Sequence, residues 1–144
     1  MQFQRVNRTD VEKGFGNVRN ASGGTILGNY PVCFTTSSGS NDGLNVVAPG
    51  ATSIQTFAGF ADLDITDTDY GRAQVYGFRD SGRIFATGTS QTNAAGIALG
   101  PNSGSNGVNS TGIKDFYGPV IAMEAIGAAV NSPGGYAKVL IRCL

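Results

Sequence analysis

Short apolar runs, four to eight residues long, alternate with turn signals along the whole chain. The breaks fall at Asn20–Gly24, Ser37–Gly43, Pro49-Gly50, Tyr70-Gly71, Asp80-Ser81-Gly82 and Pro133-Gly134-Gly135, where Gly, Asn, Asp and Pro supply the backbone angles that turns need. The runs between them are rich in β-branched and aromatic residues. This pattern predicts an all-β fold, a compact antiparallel barrel or sandwich with long polar loops and little helix. Strands are expected at 16–20, 25–28, 31–36, 44–48, 53–61, 71–78, 83–87, 119–126 and 136–143, with Asp80-Ser81-Gly82 turning a tight hairpin between the sixth and seventh. The final strand alternates cleanly: Val139, Ile141 and Cys143 share one face, and Lys138 and Arg142 take the other. Ile121–Val130 has the composition of a helix, but Gly118-Pro119 before it and Gly127 within it favour a strand that runs into a loop.

If Ala73, Val75 and Gly77 face a tight interior, Tyr76 and Phe78 lie outside, where aromatic side chains suit a protein–protein contact. Tyr76, Phe78 and Arg79 are therefore the candidate oligomer interface. That assignment depends on strand phase, because a one-residue slip exchanges the two faces. Of the other aromatic residues, Phe57, Phe60, Tyr70, Phe85, Phe116 and Tyr117 are expected mainly in the core. Two polar segments, Thr87–Ala95 and Gly100–Gly112, interrupt the pattern. The second is read as a solvent-facing loop. The N-terminus is also polar, so the chain divides into a possible arm at 1–15 and a single β domain at 16–144. Gln4, Arg5 and Arg8 are the arm's candidate contacts with a larger assembly, and a frayed terminus is the alternative.

Composition narrows the chemistry. The 144 residues include 22 Gly, no His and no Trp; 14% are charged, with ten basic residues balancing ten acidic ones. Ser, Thr or Cys nucleophiles need a base. Without His, only Lys13, Lys114 or Lys138 could serve, and none sits in a recognisable motif. The reading is therefore of a protein that is not an enzyme and has no cofactor. Balanced charge argues against nucleic acid as a partner, since phosphate binding needs concentrated positive charge. No apolar run approaches a membrane span, and the first residues show no secretory pattern. Asp62, Asp64, Asp67 and Asp69 are the one constellation with chemical potential. They form a weak alternative Ca²⁺ site, because their spacing departs from known loop patterns; a solvated turn shaped by Asp67 and Asp69 is the competing reading. Cys33 and Cys143 sit in apolar runs and read as buried free thiols, with a disulfide between the two strands as the alternative.

Several stretches together resemble the small capsid decoration, or cement, proteins of tailed bacteriophages. Val18–Val32 looks like their opening strand–turn–strand, Gly59–Ile65 and Tyr70–Gly77 like their central strands, and Ala137–Leu144 like their last strand. The likeness spans most of residues 18–144 and leaves the 100–112 segment unmatched. It implies a structural virion protein, made in the host cytoplasm, that binds the outer surface of a capsid and bridges neighbouring capsomers. The implied partners are the major capsid protein and further copies of the chain, as a trimer in preference to a dimer. A head-fibre base, a tail component or a carbohydrate-binding β module is the alternative.

Overall fold

The computed structural model describes residues 12–36, 43–50, 53, 56–85, 94–102, 106–110, 118–125 and 135–143. Among them the fold is all-β. The strands are β1 (Lys13–Asn20), β2 (Pro31–Phe34), β3 (Asn45–Val47), β4 (Phe57–Ala61), β5 (Tyr70–Ile84), β6 (Ala98–Pro101), β7 (Val108–Asn109), β8 (Val120–Ala122) and β9 (Gly135–Arg142). They form one mixed sheet in the order β1-β3-β2-β4-β5-β7-β6-β8-β9, with further pairings of β5 to β1 and to β9. Those two pairings close the sheet on itself twice. One ring runs β1-β3-β2-β4-β5 and the other β5-β7-β6-β8-β9, so the molecule is two small β rings that share one strand. Closure satisfies the strand edges that an open sheet would leave unpaired.

β5 can serve both rings because it is 15 residues long and each of its edges is used twice. One edge pairs with β1 from Tyr70 to Gly77 and then with β7 at Ile84; the other pairs with β4 at Ala73 and Gln74 and then with β9 from Tyr76 to Ile84. Bulges let the strand change from one ring to the other. The register against β1 shifts between Gly14 and Phe15, which leaves Val75 as the extra residue on β5. Two residues on, Gly77 has φ 97°, and a Cβ there would lie 1.9 Å from the Glu12 carbonyl oxygen. Only glycine fits so close an approach in that backbone region.

Asp80-Ser81-Gly82 does not turn a hairpin. The strands expected at 71–78 and 83–87 are a single strand, and the turn-like residues form a second bulge, against β9, between Arg79 and Gly82. Turn composition and bulge composition overlap, since both need a residue that departs from the pleat. The segment 100–112 is also corrected. Gly100 and Pro101 belong to β6, Val108 and Asn109 to β7, and the two strands pair antiparallel, with the Asn102 amide donating to the Gly107 carbonyl at 3.1 Å. Val108 is fully buried, so this stretch supplies core as well as loop. Its Ser, Asn and Gly residues hid one apolar anchor. The strand expected at 25–28 is reduced to a single bridge, Ile26 to Ile65. β1 begins at Lys13, so 13–15 are strand and not arm. Gln4, Arg5 and Arg8, and Phe116 and Tyr117, lie outside the described residues.

Each ring has its own core. The first holds Val18, Ile26, Val32, Val46, Ala58, Ala61, Ile65 and Ala73; the second holds Phe60, Ile84, Leu99, Val108, Val120, Ala122, Ala137, Val139 and Ile141. The first is built from small aliphatic side chains, as a narrow ring requires. β4 faces both: Ala58 and Ala61 fill the first core, while Phe60 reaches into the second and packs edge-on to Phe57 at 5.6 Å. The alternation expected of the last strand is present, with Ala137, Val139 and Ile141 buried and Lys138 and Arg142 exposed.

Candidate interaction surfaces

Residues paired across neighbouring strands share a face. Ala73 is in the first core, whereas its neighbour Gln74 pairs with Phe60 of the second. The inside of one ring along β5 is thus the outside of the other. Past the bulge, Tyr76 and Phe78 come to the outer face of the second ring, but not by the expected phase: Val75 is the bulged residue, so Tyr76 shares the face of Ala73 instead of opposing it. Tyr76 is 40% exposed and is in register with Gly14 on β1 and Arg142 on β9. Gly14 leaves room for it, since a Cβ there would sit 3.2 Å from that of Tyr76. One row further along, Phe78, Leu140, Ile121 and Ala98 pair in series across β5, β9, β8 and β6, and all four are partly buried. Four strands therefore carry a continuous apolar stripe, with Tyr76 and Arg142 along one margin and Lys138 and Met123 along the other. Leu140, Ile121 and Ala98 are the members that the sequence reading missed. Each is one position in a two-residue alternation, and only the register of strands far apart in the chain lines them up.

Arg79 does not belong to that surface. Its side chain is 7% exposed and lies between the two cores. Its guanidinium donates to Asn29 Oδ1 at 2.6 and 3.1 Å, to the Ala61 carbonyl at 2.9 Å, to Gln74 Oε1 at 3.0 Å and to the Ser81 carbonyl at 3.3 Å. The Asp62 carboxylate stands 3.9 Å away. Burial pulls the Arg79 pKa below its usual value, and Asp62 opposes that shift. Gln74 completes the node by donating to the carbonyls of Tyr76 and Phe78. Plain alternation after Phe78 turns Arg79 inward, opposite the core residue Val139, so it joins the rings instead of meeting a partner.

The four aspartates do not converge on a cation. Asp62 Oδ2 takes Arg72 at 2.6 Å, Asp64 Oδ1 accepts the Gly28 amide at 2.7 Å and Asp67 Oδ1 accepts the Gly23 amide at 2.9 Å. Asp69 acts through its backbone, its carbonyl accepting the Asn20 amide. No group of three or more acidic or sulfur ligands occurs among the described residues. The carboxylates pin the 20–30 loop to the 62–69 loop, which is the turn-shaping role. Cys33 and Cys143 are free thiols. Burial raises the pKa of each to about 12, and for Cys33 the charge of Cys143 adds to the rise. Thiols held neutral in this way are poor nucleophiles.

A second exposed area lies on the outside of the first ring. Lys13, Phe15, Asn17 and Arg19 alternate outward along β1, with Gly14, Gly16 and Val18 between them. Asn17 pairs with Arg72 and Arg19 with Tyr70. The Arg72 guanidinium stands 5.0 Å from the centre of the Phe15 ring. Tyr70, expected in the core, is 69% exposed, because residues 70 and 72 continue the Gln74 face beyond the point where the second ring covers it. Asn17, Tyr70, Gly71 and Arg72 line an open depression of about 450 Å³. No protein-family model matches the sequence, and no curated protein is similar to it.

Proposed function

We propose that this protein is a non-enzymatic structural component of a tailed-phage particle, a decoration protein that binds the outer surface of the capsid as a homo-oligomer and bridges neighbouring capsomers. The observation that supports it best is the apolar stripe Phe78–Leu140–Ile121–Ala98 beside Tyr76, set on a body whose sheet closes twice. Partly buried apolar and aromatic residues flanked by Arg suit the centre of a protein interface. A sheet that closes on itself through β1–β5 and β5–β9 suits dense repetition on a shell, since closure reduces the strand edge offered to neighbours. Oligomerisation through the stripe multiplies weak single contacts with the shell by effective concentration. The major capsid protein is the proposed partner, with Gln4, Arg5 and Arg8 as the arm's contacts.

The test is co-sedimentation of the purified protein with preformed capsids that lack it, followed by thermal and chelator challenge of the particles. Saturable binding with raised particle tolerance is expected. Failure to bind any capsid at concentrations where the oligomer is intact removes the reading.

A further inference from the structure

We propose that the outer face of β1 and β5 carries a saccharide site, centred on the depression between Asn17, Tyr70 and Arg72. It is separate from the apolar stripe and does not depend on capsid binding. Four side chains form a square on two paired strands, Asn17 opposite Arg72 and Arg19 opposite Tyr70. Opposite residues on such strands stand about 5 Å apart and successive outward ones about 7 Å. The square is rigid where it matters. Arg72 is held from one side by Asp62 at 2.6 Å and from the other by the face of Phe15 at 5.0 Å, so its fork is fixed before any ligand arrives. Arg19 is fixed likewise, its Nε donating to the Thr68 carbonyl at 3.2 Å.

The chemistry of the square fits a sugar ring. The exposed Tyr70 ring offers a flat apolar surface for the C–H face of a pyranose. Asn17 offers a planar amide donor and acceptor, and Arg72 a planar donor fork, both suited to paired hydroxyls. The depression, about 450 Å³, is of small-molecule size, within the roughly 300–1,000 Å³ of known ligand sites. A protein partner is the poorer fit. Around Tyr70 the face carries Asn17, Arg19 and Arg72, with the Phe15 ring against the Arg72 guanidinium, and no apolar stripe of the kind seen on the second ring, so docking a protein here would desolvate several polar groups for modest apolar contact.

The experiment is titration of the ¹⁵N-labelled full-length protein with neutral hexoses in one arm and a hexuronic acid in the other. A Kd on the order of 1 mM is expected for a single ring, with shifts confined to Asn17, Gly71, Arg72 and their strand neighbours. Tyr70→Ala is expected to weaken binding about tenfold while leaving the unfolding midpoint unchanged, since that side chain is mostly in solvent. Binding by both arms supports stacking with hydroxyl recognition. Binding by the uronic acid alone supports the same site with Arg72 reading the carboxylate. No saturation by either sugar into the tens of millimolar, or an affinity unchanged by Tyr70→Ala, overturns the saccharide assignment. None of these outcomes bears on co-sedimentation with capsids.

Discussion

The buried Arg79 node is the contact that most directly joins the two rings, and its removal is the sharpest test of the architecture. Arg79→Ala strips the guanidinium donors from Gln74 Oε1 and from Asn29 Oδ1, and one of two donors from the Ala61 carbonyl, which keeps the Asn29 amide at 2.8 Å. Each buried acceptor left without a partner costs about 1–3 kcal/mol. Part of that is returned, because the guanidinium no longer has to be desolvated; its lowered pKa shows that burial opposes its charge. The expected net loss is about 3–5 kcal/mol, the usual cost of removing one member of a buried charged network. For a chain of this size about 3 °C accompanies each kcal/mol, so the unfolding midpoint should fall by about 10–15 °C. Arg79→Met refills most of the volume but leaves the acceptors orphaned, and it should recover less than half of the loss. Calorimetry and urea titration at neutral pH measure both variants. If Arg79→Met is as stable as the parent, desolvation outweighs the hydrogen bonds and the node does not hold the rings together.

Tyr76→Asp should lower the oligomer mass seen by light scattering after size exclusion while leaving the circular dichroism spectrum intact; an unchanged mass removes Tyr76 from the interface. Gly77→Ala places a Cβ 1.9 Å from the Glu12 carbonyl oxygen at φ 97°, and should cost more than about 3 kcal/mol or prevent folding, whereas the same change at Gly24, where a Cβ meets nothing within 4 Å, should cost well under half as much, as measured by denaturant unfolding. The thiols of Cys33 and Cys143 titrate at about 12 in the fold and from a reference of 9.0. The folded state therefore holds those protons more tightly, so stability is complete below about pH 9 and declines as pH rises through the window up to 12, by at most about 1.4 kcal/mol per thiol per pH unit. A Cys33→Ala/Cys143→Ala variant should lose that alkaline slope in pH-dependent melting, and a slope equal to the parent's refutes the assignment. Native protein should also react with an aromatic disulfide reagent far more slowly than the unfolded chain does.

The two-residue alternation, the density of turn residues and the scarcity of helix-forming runs determined the class of fold, because these are local steric preferences that hold whatever the rest of the chain does. Alternation likewise placed Val139 and Ile141 inward. The path of the sheet was not local. Asp80-Ser81-Gly82 serves equally for a hairpin or for a bulge, and only β9 lying alongside makes it a bulge. That choice makes β5 one strand, long enough to serve both rings. Val108 was hidden because a single apolar residue among Ser, Asn and Gly has no period to betray it. Tyr70 was misplaced for a related reason: strand phase tells which residues share a face, but whether that face is covered depends on where the second ring ends. The apolar stripe and the Tyr70 depression are both products of register between strands distant in sequence, a property of pairing energies summed over the whole sheet and written in no single segment.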